Sequence, residues 1–339
     1  MKKPSLLTFT VMKNEGPFIL EWLAYQRLVG VDHIVVLTND CDDGTDLILD
    51  RLDAMGLVRH LPNPCALFAP GTPGATKPHI VGIGYARQLR EWREADYIFL
   101  SDVDEFPLVR VGDGSLKALL AQTDYPDVIS MNEMLFGTSG QVHYTDSLIT
   151  ETFTQRSLLN PLGRQKTRRG LKSITRNKPG VLKIRNHRPT APAHLAADLR
   201  WLDGSGRDFP LDLRHVHEKG TDCRDATELA VINHYTLRST ESFLVKMARG
   251  DAVAPERINL RYFRQRNRNE EHDTTIHAML PRLKEEIERL KRDPHLADLH
   301  VQSVEAHKAK IAALRNSPDF AEILKRLNIA PAPSTQQAA

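Results

Sequence analysis

The stretch Tyr97-Ile98-Phe99-Leu100-Ser101-Asp102-Val103-Asp104-Glu105-Phe106 sets a wholly apolar run directly against three carboxylates. Four large apolar residues in succession leave no polar face, which predicts a strand buried on both sides, as in a parallel sheet covered by helices. Open sheets of that kind gather ligands beyond the carboxyl ends of their strands, and Ser101 onward falls there. Period-two alternation would set Asp102 and Asp104 to one side and Val103 to the other. Crowded carboxylates repel and are costly to bury, and a divalent cation removes both penalties. Asp102 and Asp104 are therefore candidate ligands for Mn²⁺ or Mg²⁺. The plainer alternative is a strand end whose acids merely cap the next element.

Working outward, the same grammar repeats. Leu6 to Val11 and His33 to Thr38 are short β-biased runs. Between them Gly16-Pro17 opens a helix carrying Phe18, Trp22, Tyr25 and Val29 at helical spacing, with Gly30 as its stop. A helix ending near Gly56, a strand over Leu57 to His60, and a Pro- and Gly-rich loop from Pro62 to Pro78 follow. The pattern then predicts a helix over His79 to Ala95, a helix over Leu116 to Gln122 and a strand over Asp127 to Met131. This alternation predicts an α/β fold, an open, mostly parallel nucleotide-binding sheet with right-handed connections. Beyond Gly137 the periodicity degrades. From Thr274 to Leu327 it turns helical, with Leu280, Leu283, Ile287 and Leu290 forming one stripe. A helical appendage packed on the sheet is the plain reading of that stripe, and an oligomerisation helix the sharper one. The expected division is a catalytic domain over 1–250, a helical C-terminal extension over 251–330 and a disordered tail over 331–339.

Across 339 residues, 41% are apolar and 26% charged, which excludes a disordered chain or a fibre. Cys41, Cys65 and Cys223 form no Cys-x-x-Cys pair, which argues against a disulfide framework and a cysteine zinc site. No stretch approaches the ~18 apolar residues of a membrane span, and the amino terminus lacks a signal-peptide pattern. The expectation is a cytoplasmic protein with at most peripheral membrane contact. The net charge is only +3, yet its distribution is uneven. From Arg156 to Arg188 there are 11 Lys or Arg and no Asp or Glu, so this segment calls for an anionic partner or a solvated face.

Several separated blocks resemble the A-type glycosyltransferases, specifically family 2-like bacterial enzymes that share motifs with family 92. They are Lys13-Asn14-Glu15-Gly16 with Glu21-Trp22, Asp102-Val103-Asp104-Glu105-Phe106, Phe136-Gly137-Thr138-Ser139-Gly140, and Asn233-His234-Tyr235 with Arg238-Ser239, Lys246 and Arg249-Gly250. The resemblance covers about residues 5 to 250. It implies transfer of a sugar from a nucleotide-sugar donor, UDP-linked in the first instance, to a glycan or lipid-linked acceptor. It makes Asp104 a direct metal ligand and Asp102 a contact to the donor ribose or the metal's water shell. His234 becomes the third ligand, against the alternative of a hydrogen-bonded core histidine, with His187, His215 and His217 as weaker candidates. Glu15 and Asp43 would hold the nucleoside, although Asp43 also reads as a helix-capping acid. Lys172 matches a lysine-containing block and is the first choice for a phosphate contact. The resemblance also implies inversion at the anomeric carbon, which needs a carboxylate base. Glu133, two residues past the expected strand, is placed for that role, with Glu151 and Asp146 as fallbacks.

Three rival readings fit less well. An aspartate-nucleophile phosphatase carries its Asp-x-Asp after the first strand, not about a hundred residues in. A nucleotidyltransferase would show a Gly-rich, Arg-containing loop after the first strand, and Met12 to Gly16 is not that loop. A nucleic-acid binder would interleave aromatics with its basic run, and none lies between Arg156 and Arg188.

Overall fold

The computed structural model describes residues 3–69, 71–159, 169–216, 220–221, 225–249 and 259–329. The expected tail, His217, Cys223 and part of the basic run lie outside the described residues. The first half runs β1 (Leu6–Met12), α1 (Ile19–Leu28), β2 (His33–Thr38), α2 (Thr45–Ala54), β3 (Arg59–Pro62), α3 (Pro73–Thr76), α4 (Pro78–Ala86), α5 (Arg90–Glu94), β4 (Tyr97–Leu100), β5 (Glu105–Val109), α6 (Leu116–Gln122) and β6 (Val128–Leu135). Then come α7 (Ile149–Thr152), β7 (Gln155–Arg156), β8 (Arg169–Arg176), β9 (Trp201–Asp203), β10 (Gly220–Thr221), β11 (Ala230–His234), α8 (Thr240–Arg249), α9 (Leu260–Arg266), β12 (Glu271–His272), α10 (Leu280–Lys291), α11 (Pro294–Arg315) and α12 (Phe320–Arg326).

The main sheet has the order β3-β2-β1-β4-β8-β6-β11-β5, with β9 and β10 attached beside β6 and β8. β3, β2, β1 and β4 are mutually parallel, as the alternation of strands and helices predicts. β8 then enters antiparallel to both β4 and β6, so the centre of the sheet is mixed. β11 runs parallel to β6, and β5 closes the edge antiparallel to β11. The fold is thus α/β, an open, mixed and mostly parallel sheet with C-terminal helices.

Helices cover both faces. One core joins β1, β2 and β4 to α1, α2, α6, α10 and α11 through Phe99, Trp22, Leu49, Leu119 and Leu283. Helix α1 is buried from Ile19 to Gln26, because the sheet takes one side of it and α10 the other. The stripe Leu280, Leu283, Ile287 and Leu290 is buried, as a packed appendage requires. On the opposite face α4 and α5 lie over Phe9, Leu37 and Ile98. Gly82 lets α4 approach closely, since a Cβ there would stand 2.9 Å from Val11 Cγ2.

Four local expectations shift. The helix expected over His79 to Ala95 is two helices, because Leu89 turns extended and packs inward against the second core. The expected loop between Pro62 and Pro78 contains the single helical turn α3. The third strand begins two residues later, at Arg59. Strand β6 runs four residues beyond Met131, which carries Glu133 into the sheet instead of past it.

Candidate active site

The apolar strand β4 stops at Leu100, and the chain reverses immediately. Glu105 N–H donates to the Asp102 carbonyl at 3.0 Å, and the Glu105 carboxylate accepts from Asp102 N–H at 2.9 Å. Val103 is buried at this turn. The two aspartates therefore do not share a strand face as alternation would have it. The chain must turn here because β5 pairs antiparallel with β11. Asp102 faces Lys172 Nζ at 3.0 Å and His79 Nε2 at 3.6 Å. Asp104 faces Lys246 Nζ at 2.8 Å and His234 Nε2 at 3.5 Å.

His234 is the last residue of β11. The register places it opposite Glu105 on one side and Leu135 on the other, with Glu133 two residues before Leu135 on β6. Its Nδ1 lies 3.4 Å from Glu133 Oε2. Glu133 is further approached by His187 at 3.7 Å and Arg266 at 3.9 Å. Its carboxylate occupies the space a side chain at position 170 would fill, since a Cβ on Gly170 would stand 2.1 Å from Glu133 Oε2. One ligand atom each from Glu105, Glu133 and His234 lie within 4.8 Å of one another, a group able to hold a metal ion. The sequence reading joined His234 to Asp102 and Asp104. The structure gathers Glu105 and Glu133 around that histidine and leaves Asp104 on its other ring nitrogen.

Electrostatics follow from dense burial. Desolvation opposes charge on His234, but Asp104 and Glu133, one beside each ring nitrogen, hold its pKa well above the ordinary imidazole range. Burial likewise opposes ionisation of Asp104, and Lys246 with His234 overrides it, so the carboxyl sits well below its usual range. For Glu105 desolvation wins over Lys172, pushing it up to about 7. Asp102 and Glu133 are both lowered, against their own desolvation, by Lys172 and by His234 respectively.

Lys172 is 0% exposed, with Nζ 3.0 Å from Asp102, 2.8 Å from Glu105 and 3.0 Å from Asn186 Oδ1. Its ammonium faces carboxylates from the middle of β8. Glu15 is buried between Arg238, at 2.8 Å, and Arg249, which also donates to the carbonyls of Lys13 and Asn14. Arg238 stacks over Phe18, and its Nε and Nη2 are buried without a hydrogen-bond partner. Asp43 accepts from Gly16 N–H, Thr45 N–H and Thr45 O–H, fastening the loop after β1 to the start of α2. Glu151 is paired with Lys284 and Asp146 lies near His300, so neither fallback base joins the cluster. His215 is exposed and is not among the residues that gather around His234. Sequence reasoning passed over His79 and Arg266, which no motif marks, and did not separate Glu105 from the acidic block as a ligand in its own right.

Residues 11–193, more than half of the chain, match the profile of glycosyltransferase family 92. The chain belongs to glycosyltransferase family 92. The family-92 match contains Glu15, Asp102, Asp104, Glu105, Glu133 and Lys172, while His234, Arg238 and Lys246 come from beyond it and meet the same cluster. Among solved structures, the crystal structure of S. aureus TarS 1-349 is similar at 12% identity, over 95% of this chain and 88% of that chain, with a TM-score of 0.29. No curated protein matches the chain. Among the described residues, no helix is long and apolar enough to cross a membrane.

Proposed function

We propose that this family-92 glycosyltransferase moves a sugar from a nucleotide diphosphate donor to a hydroxyl acceptor, with a divalent cation at the carboxyl edge of β4 and inversion at the anomeric carbon. The observation that carries it is the convergence of Asp102, Asp104 and Glu105 from one turn with Glu133 and His234 from two further strands. Two carboxylate oxygens and one imidazole nitrogen suit Mn²⁺ better than Mg²⁺, which favours oxygen alone. Glu105, Glu133 and His234 would hold the ion, with Asp104 beside it. When bound, it supplies positive charge against the leaving diphosphate.

The chain's own cations serve the same end. Lys246, Arg249 and Arg238 cluster beside Glu15 and Asp104, and the unpaired N–H groups of Arg238 suit phosphate oxygens. Lys172, enclosed by carboxylates, suits the task of holding Asp102 and Glu105 in place. Glu15 would contact the nucleoside, and Asp43 would support the loop beneath it. The acceptor is a glycan or lipid-linked hydroxyl.

Two roles compete for Glu133, ligand and general base, and one variant separates them. As a ligand, Glu133→Gln weakens Mn²⁺ binding in calorimetry at least tenfold. As a base it retains Mn²⁺ affinity and donor KM while kcat falls by two orders of magnitude or so. Thermal stabilisation by a panel of nucleotide sugars with Mn²⁺ or Mg²⁺ identifies the donor. Full turnover in excess chelator, or in His234→Ala, would overturn the metal assignment. A product of retained anomeric configuration would overturn inversion.

A further inference from the structure

The unbroken basic run is only partly absorbed by the carboxylate cluster, and the structure sorts its members. Arg156 pairs with Glu271 and Asp273, Lys172 with Asp102 and Glu105, and Arg176 and Lys178 with Asp127. Lys183 and Arg185 pair with no carboxylate among the described residues. Neither do Arg87 and Arg93, which face them from the end of α4 and from α5. Arg87 instead donates to the Ile184 carbonyl at 2.5 Å, and Arg185 to Thr190 Oγ1 at 3.4 Å.

Arg87, Arg93 and Lys183 line a cavity of about 740 Å³ between α4, α5 and the 177–192 segment. Its floor is apolar, formed by Trp92, Leu182 and Ile184, and among the described residues no Asp or Glu lines it. Asn177, which also lines it, is one residue past Arg176, which is paired with Tyr97 at the amino end of β4. That is the far end of the strand from Asp102. Burial and the neighbouring Arg185 both lower the proton affinity of Arg87, so cations are crowded here, with no carboxylate paired to them among the described residues. A cavity of this size, with an apolar floor and one-signed polar groups at its rim, is the form of a small-molecule site.

We propose that this cavity binds a phosphate ester with a flat apolar body, a ligand distinct from the sugar donor. Arg87, Arg93 and Lys183 take the phosphate, where guanidinium offers paired donors. Trp92, Leu182 and Ile184 take the body.

The probe is 1-naphthyl phosphate, titrated calorimetrically into the full chain. A Kd of roughly 0.1 mM is expected for a ligand of this size in such a pocket. Lys183→Glu, an exposed position whose change leaves the fold intact, should weaken binding at least tenfold, and Arg87→Ala similarly. Saturating nucleoside diphosphate should not displace the probe. Equal affinity for inorganic phosphate or for neutral 1-naphthol would overturn the proposal, the first by making the floor irrelevant and the second by making the cations so. Displacement by nucleoside diphosphate would assign binding to the catalytic edge, and unchanged affinity in Lys183→Glu would remove the site. Binding to phosphatidate vesicles without a response to naphthyl phosphate would make the face a lipid-surface contact and equally refute the cavity.

Discussion

Replacing Lys172 by Met tests whether this lysine is a phosphate contact or a structural counter-ion. Its Nζ lies within 3.0 Å of Asp102 and Glu105. Removing one partner from a buried ion pair typically costs about 3–5 kcal/mol, because the charge left behind is uncompensated. Here two features lower the cost. The Asp102 side chain is 34% exposed and regains some water. Glu105 is already pushed up to about 7 and escapes its charge by taking a proton. The expected loss is about 3 kcal/mol in urea unfolding near pH 7. Glu105→Gln in the same background should recover more than about 1 kcal/mol of it, the two changes being coupled through one contact. A Lys172→Met enzyme that unfolds within about 1 kcal/mol of the parent, yet shows a raised donor KM, would refute the counter-ion reasoning and restore the phosphate contact.

Gly170→Ala should thrust a methyl group into the Glu133 carboxylate, and calorimetry should show weakened Mn²⁺ binding, with the far-UV dichroism of the fold retained. His307 is buried beside Phe18, Tyr144 and Ser242, and burial, together with Arg238, lowers its pKa to about 4. Below about pH 6.5 the unfolded chain takes up a proton that the folded chain refuses, so stability falls as pH drops from 6.5 to 4, by up to about 3 kcal/mol from this residue. His307→Phe should flatten that part of the stability–pH curve, and an unchanged slope in chemical denaturation would count against it. Glu21→Ala should destabilise by about 2–3 kcal/mol in urea unfolding, because its buried carboxylate accepts from Ile149 N–H, Thr150 N–H and Thr150 O–H at the start of α7.

What could be read in advance was whatever announced itself by hydrophobic pattern. β1, β2 and β4 are short apolar runs and lie where the sequence puts them. β5 was invisible because Glu105 belongs to the acidic motif and Pro107 argues against a strand. As the outermost strand β5 tolerates the proline. β8 was marked only as a short β-like piece in the basic stretch, since Arg169 to Arg176 contains only two large apolar residues, and its buried lysine is satisfied by partners 70 and 67 positions away in sequence. The site followed the same rule. The motif blocks proposed Asp102, Asp104 and His234 as candidates, and the structure brings Asp104 beside His234. The partnership of Glu105 and Glu133 depends on register between strands far apart in sequence, which no local pattern encodes.

The position of β8 also governs the order in which the molecule comes into being. β4 and β6 cannot be joined until Arg169 to Arg176 has been synthesised, and β5 stays unattached to β6 until β11 arrives at Ala230 to His234. A nascent chain stalled after β6 would carry one four-stranded sheet open at β4 and two unpaired strands, β5 and β6, the kind of surface that recruits other chains. Assembly is thus dominated by long-range closure and should be slow, and carboxy-terminal truncations short of His234 should accumulate as aggregates. The histidine that meets Asp104 and Glu133 ends the strand that completes the sheet, so the candidate site comes together only when the fold does.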